Sequence, residues 1–265
     1  MINQNIIVLG SGFMASAIVR GMYENKIADM KKVYVMAPHP EKVRTLSQKY
    51  RVNVANTEDI EKAQIVILAF KPQNFDEAAA QYKKYFNSNQ LFISILAGTK
   101  TERLESLTEN ARVIRTMPNL ALAVSASATG YCLGKNATEE DARVCESIFS
   151  PLGVCARVAE EKMSDVTALS GSGVAYFCYL AEAMSGFAQK EGVDEKTAKE
   201  LSAWALIGAA KLICEKDDPA EIRRKVTSKG GTTEAAIGAM TDGGFISAVE
   251  KGYAACKKRS LELGK

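Results

Sequence analysis

Two short runs of glycine and hydroxyl residues carry most of the chemistry legible in this chain. The first is Gly10-Ser11-Gly12-Phe13-Met14-Ala15, which follows apolar β-formers at 6–9 and opens an apolar-periodic stretch over 14–25. Between a strand and a helix, that spacing suits a dinucleotide. The first glycine allows a tight turn, the second lets a diphosphate approach the backbone, and the small Ala15 lets the helix pack on the strand. The helix start then offers free N–H groups and the positive end of its dipole to an anion. A plain glycine turn between a core strand and a helix has the same local sequence. The second run, Thr227-Ser228-Lys229-Gly230-Gly231-Thr232-Thr233, leads into a helix at Glu234. Its N–H groups and hydroxyls suit a carboxylate or a phosphate; a Gly-Gly break with a threonine N-cap would look alike. Small residues at Ser170-Gly171-Ser172-Gly173 fit either close helix packing or cofactor approach.

Other chemistries are poorly supplied. The single histidine, His39, sits between two prolines, so Ser-His-Asp and Cys-His systems are excluded and no metal is expected. The six cysteines show no CxxC spacing, and they read as reduced, small hydrophobes of a cytoplasmic protein. A net charge of +3 on 65 charged side chains, with no basic cluster, gives no reason to expect nucleic acid. The N-terminus shows no basic region ahead of 6–9, so no signal peptide is expected. No apolar run approaches the roughly 18 residues of a membrane span.

The elements that must position these runs alternate over the first 160 residues. Strands are expected at 6–9, 32–36, 52–55, 65–70, 91–95, 112–116, 129–133 and 154–158. Helices are expected at 14–25, 41–50, 57–62, 74–86, 101–109 and 138–150. That alternation predicts a mainly parallel sheet covered on both faces. After residue 160 the pattern is helical, with helices at 167–191, 195–215, 219–226, 232–240 and 245–263. Several are apolar on most faces, more than about 100 residues can cover alone, so a second subunit is expected. The fold class is therefore α/β: a Rossmann-type N-terminal domain over 1–159, then an all-α dimerisation domain over 160–265, to which the resemblance described below adds the substrate.

The tip of the second strand, Met36-Ala37-Pro38-His39, carries no acid to bond a ribose 2′-hydroxyl, and Lys42 and Arg44 follow. NADP is expected as cofactor, with NAD as the alternative.

Several motifs together resemble the pyrroline-5-carboxylate reductase family, the last enzyme of proline synthesis. They are the GSGFMA turn, Ala69-Phe70-Lys71-Pro72, Ser94-Ile95-Leu96-Ala97-Gly98, Arg115-Thr116-Met117-Pro118-Asn119, Thr167-Ala168-Leu169-Ser170-Gly171-Ser172-Gly173 and Val226 to Thr233. The resemblance implies hydride transfer from NAD(P)H to a small cyclic imine acid, 1-pyrroline-5-carboxylate, giving L-proline, in a homodimer or a larger oligomer built on dimers. It implies cofactor contacts at Gly10, Ser11, Gly12, Phe13, Met14, Ala15, Asn56, Ala69, Phe70, Lys71, Pro72, Ile95, Leu96 and Ala97. Substrate contacts are implied at Ser228, Gly230, Gly231, Thr232 and Thr233, with Thr233 and Glu160 as catalytic candidates. The chain departs from the family's MPNTPA, SGSGPAY and SPGGTT patterns at Leu120-Ala121-Leu122, Val174 and Lys229. Two alternatives stay open: a reductase of another cyclic imine acid, and a non-catalytic nucleotide-binding relative.

Overall fold

The structure, a computed structural model, describes residues 1–216 (of Lys216 the backbone only) and 218–264. The expected second domain, 160–265, includes residues 217 and 265, which lie outside the described residues. By packing, residues 1–172 group with 256–265, and 173–255 form a second unit.

The first unit is built on an eight-stranded sheet in the order β3-β2-β1-β4-β5-β6-β7-β8. Its strands are β1 (Ile6–Leu9), β2 (Val33–Met36), β3 (Asn53–Val54), β4 (Ile65–Leu68), β5 (Leu91–Ser94), β6 (Arg112–Met117), β7 (Ser127–Leu133) and β8 (Gly153–Arg157). All neighbours are parallel except β6 and β7. The exception follows from chain length: only a short 3-10 turn at Leu120–Val124 joins the two, with no crossover helix to return the chain. Between β7 and β8 the helix α6 (Glu139–Phe149) restores parallel pairing.

Alternation along the central strands splits the core in two. Ile6, Val8, Ile65 and Ile67 join one cluster with Ala15, Ile18 and Met22 of α1 (Phe13–Glu24). Ile7, Leu9, Val66 and Leu68 join the other, with Phe75 of α4 (Phe75–Tyr82) and Leu104 of α5 (Thr101–Glu105). Strands buried on both faces explain why β1 and β4 read as unbroken apolar runs. The first sheet edge is completed by α2 (Pro40–Tyr50) and α3 (Thr57–Lys62).

Three expected helices differ in form, the stretch 74–86 being α-helical only over Phe75–Tyr82, with 3-10 turns at Pro72–Asn74 and Lys83–Tyr85. The stretch 101–109 yields only five helical residues, and 167–191 is not one helix. Instead α7 (Met163–Val166) runs into a π-turn at Thr167–Gly171, and α8 (Gly173–Lys190) starts beyond it. The wide turn is closed by Ser172 N–H donating to Thr167 O at 2.8 Å, a bond one residue longer than an α-helix makes.

The second unit is helical. It holds α8, α9 (Glu195–Lys216), α10 (Pro219–Lys225), α11 (Thr232–Asp242) and the first part of α12 (Phe245–Leu263). Asp218 caps α10 by accepting from Ala220 N–H at 2.9 Å, as the Asp-Pro start implies. Of the described residues in 173–255, only Gly173, Ser185 and Ala198 are buried. Phe177, Tyr179, Phe187, Leu201 and Trp204 are each more than 60% exposed, so these helices lack an apolar core of their own.

Candidate active site

The glycine turn between β1 and α1 is shaped by two different needs. Gly10 has φ +139°, and a Cβ there would stand 2.3 Å from Ala69 O, so only glycine lets β1 turn against the end of β4. Gly12 is different: it is the N-cap of α1 with φ −74° and ψ −176°, a conformation open to any residue, and a Cβ would meet nothing within 4 Å. No side chain caps the helix. The turn therefore presents unsatisfied first-turn N–H groups to open space, where a diphosphate fits. Ala15 is fully buried, Ser11 nearly so, and Phe13 is exposed.

Sheet order decides which other expected cofactor residues come near. β4 and β5 follow β1 in the sheet, so the loops carrying Ala69, Phe70, Lys71 and Pro72, and Ile95, Leu96 and Ala97, emerge beside the glycine turn at the carboxyl edge. Ile95 N–H donates to Leu68 O at 3.1 Å, and Leu96 N–H donates to Ser94 Oγ at 3.2 Å. Asn56 follows the edge strand β3, with β2 between it and β1. Its Oδ1 accepts from Glu58 and Asp59 N–H groups, capping α3. A cleft at the ends of β1 and β2 is lined by Gly10, Ala37, Pro38 and Phe70. Glu77 of α4 also lines it, and no sequence signal marked that residue. Lys42 and Arg44 lie on α2, exposed.

The MPN and LSGSG motifs form one joint. Asn119 Oδ1 accepts from Ala121 N–H at 3.1 Å, starting the 3-10 turn, while its Nδ2 donates to Ser170 O at 3.2 Å in the π-turn. Gly171 leaves room for Met117, whose Cε would lie 2.7 Å from an added Cβ.

Glu160 stands just before α7, and both its oxygens are engaged. Thr101 donates to it twice, from N–H at 2.7 Å and from Oγ1 at 2.5 Å, and Arg115 Nη1 donates at 3.2 Å. Burial by itself would raise the Glu160 pKa. The bonds from Thr101 and Arg115 outweigh burial and hold it below the usual carboxylate value. Nearby, burial pushes the Cys132 thiol up to about 12.

In the helical unit, Ser228 to Gly231 make a turn, with Gly231 N–H donating to Ser228 O at 3.0 Å. Gly230 has φ +73° at its third position, where a type II turn needs glycine. Gly231 is the N-cap of α11, with no side-chain cap, so Thr232 and Thr233 present first-turn N–H groups. Glu234 reaches back to accept from Gly230 N–H at 2.7 Å. A carboxylate thus already sits at one donor of this nest, a feature the sequence reading missed although Glu234 lies only four residues on.

A mainly parallel sheet with an open glycine turn at its carboxyl edge, followed by a helical region, defines a Rossmann-type dinucleotide-binding protein. Residues 5–98 match a family model described as NADP oxidoreductase coenzyme F420-dependent, and 160–263 match pyrroline-5-carboxylate reductase dimerisation. A pyrroline-5-carboxylate reductase of Methanosarcina acetivorans is 37% identical over 100% of both chains. Pyrroline-5-carboxylate reductase 2 of Bacillus subtilis is 33% identical over 96% of this chain and 93% of its own. The solved pyrroline-5-carboxylate reductase of Coxiella burnetii superposes with TM-score 0.92 at 30% identity, covering 99% of each chain. The chain belongs to the pyrroline-5-carboxylate reductase family. No helix among the described residues is long and apolar enough to cross a membrane.

Proposed function

We propose that this protein reduces 1-pyrroline-5-carboxylate to L-proline with a nicotinamide dinucleotide, NADP in preference to NAD. The reading assigns nucleotide binding to 1–159, and dimerisation and substrate binding to 160–265. It places the enzyme in the cytoplasm as a homodimer or a larger assembly of dimers, without membrane or nucleic-acid partners. The observation that carries it is the β1–α1 turn, where Gly12 leaves open space before an uncapped helix start. Family membership supplies the substrate class.

When bound, the dinucleotide supplies a hydride. The chain's own residues have less to do than in ketone reduction, because a cyclic imine protonates readily and its C=N carbon then attracts hydride without a strong acid. That fits a chain with one histidine. In the proposal, Gly10, Ser11, Gly12, Phe13, Met14 and Ala15 hold the diphosphate. Ala69, Phe70, Lys71, Pro72, Ile95, Leu96 and Ala97 line the rest of the nucleotide, and Asn56 lies at its outer rim. Ser228, Gly230, Gly231 and Thr232 hold the substrate carboxylate through hydroxyl and N–H donors, which displaces Glu234 from Gly230. Thr233 donates its hydroxyl to the ring nitrogen as charge leaves it. No proton is asked of Glu160, which is held ionised.

The test is oxidation of NADPH by the purified protein with racemic 1-pyrroline-5-carboxylate. Thr233→Val should lower kcat ten- to a hundredfold, with cofactor affinity kept. Lys229, where the family carries proline, favours a second reading, a reductase of another cyclic imine acid. Turnover confined to a different ring size would establish that instead.

A further inference from the structure

We infer that Glu160 is a positioning residue for the 95–100 loop, acting through Thr101 and Arg115; this rests on the nucleotide reading above. The loop leaves β5 and ends where α5 begins. Helix α5 has only five residues, and its N-cap, Lys100, makes no side-chain capping bond. A helix that short has little stability of its own, and an ammonium cannot accept from the first-turn N–H groups.

The missing acceptor comes from 59 residues further along the chain. Glu160 receives both the N–H and the hydroxyl of Thr101, the first residue of α5. A carboxylate at a helix start is favoured by the dipole as well as by the bonds. Arg115, on β6 next to β5 in the sheet, donates to the same carboxylate oxygen that accepts from Thr101 N–H. Thr101 and Arg115 are each 6% exposed, so the triad is partly dry and its bonds are correspondingly strong.

The rest of the loop is braced by independent contacts. Ser94 O accepts from Thr116 Oγ1 at 3.0 Å, and Ser94 Oγ accepts from Leu96 N–H. Gly98, at φ +79°, passes so close to the end of α12 that a Cβ would stand 3.1 Å from Leu263. With Glu160 at its far end, the loop is held at both ends and in the middle. Lys100, Glu161, Lys258 and Glu262 line the same cleft as Glu160 and Arg115. Those four are not bonded into the triad, so the double acceptor is the feature that singles out Glu160.

The consequence is local. The 95–100 loop follows β5, three strands from β2 in the sheet, so its displacement should disturb the nicotinamide end of the nucleotide and spare the adenosine end. The experiment uses full-length Glu160→Gln and Thr101→Val, with Thr101→Ser as the conservative comparison. Dissociation constants for NADPH and for 2′,5′-ADP, which lacks nicotinamide, are measured by calorimetry beside kcat. Glu160→Gln and Thr101→Val should weaken NADPH at least fivefold and lower kcat at least tenfold, with 2′,5′-ADP within twofold. Thr101→Ser should restore both. Equal weakening of both ligands would overturn the inference in favour of a general structural role. Unchanged NADPH affinity and kcat would also overturn it. If Glu160→Gln does not fold, the two Thr101 variants decide alone. A wild-type protein that binds NADPH but reduces no cyclic imine would refute the proposed reaction and leave the binding comparison standing.

Discussion

Replacing Gly12 by valine separates cofactor binding from folding more cleanly than any other change at the turn. At Gly12 the backbone is extended, and a Cβ would meet no atom within 4 Å. The folded chain therefore accepts a side chain there at the cost of a poorer N-cap, about 1 kcal/mol or less. In a domain of this size that is a Tm shift of about 2–4 °C. In the proposed function, the space the valine fills is the one the diphosphate needs. Excluding it should raise the dissociation constant for NADPH at least tenfold, about 1.4 kcal/mol. Gly10→Ala is the instructive contrast. Its Cβ would stand 2.3 Å from Ala69 O and 2.6 Å from Ala69 C, both backbone atoms, at a φ of +139°. Strain alone costs about 1–3 kcal/mol, before Ala69 moves and disturbs its bond to Leu9 O. Gly10→Ala should thus lose stability first, visible as a fall in Tm of 6 °C or more at about 2 °C per kcal/mol, and binding only as a result. Calorimetric titration with NADPH and thermal circular dichroism give both quantities. A folded Gly12→Val protein with unchanged NADPH affinity would refute the placement of the diphosphate.

Two further outcomes follow from the same geometry. NADPH should give the higher kcat/KM, and Ala37→Asp, which places a charge in the cleft between Met36 and Pro38, should penalise NADPH more than NADH; a clear preference of the wild type for NADH would refute this. With almost nothing buried among the described residues of 173–255 and Trp204 at 68% exposure, light scattering at micromolar concentration should report at least a dimer, and Trp204 emission should shift only on dissociation. A monomer mass would overturn that assembly.

Local pattern was sufficient for the parts of the protein whose physics is local. Unbroken apolar runs at Ile6–Leu9 and Ile65–Leu68 fitted strands buried on both faces, which they are, and the Asp218–Pro219 pair announced α10. The glycine turn was legible because a tight turn, a close approach and a small packing residue impose fixed spacing on a few adjacent positions. The Gly230-Gly231 turn before α11 was legible for the same reason.

Tertiary structure decided whatever depended on residues far apart in the chain. The place of β6 beside β5, which leaves β7 to pair on its other edge, depended on strands about 20 residues apart. The π-turn lies where Gly171 leaves room for Met117 and Asn119 Nδ2 donates to Ser170 O, 51 residues away. Glu77 reached the cleft at the ends of β1 and β2 because α4 packs beside β1 and β4, and no period in the sequence marks it. Glu160 entered only as a catalytic candidate implied by the family resemblance, with no partner legible in the sequence around it. Only the folded sheet, which sets β6 beside β5, brings Arg115 Nη1 and the Thr101 N–H to its Oε1 and the Thr101 hydroxyl to its Oε2. Periodicity records which face of an element is buried, but not which distant side chain will meet it there.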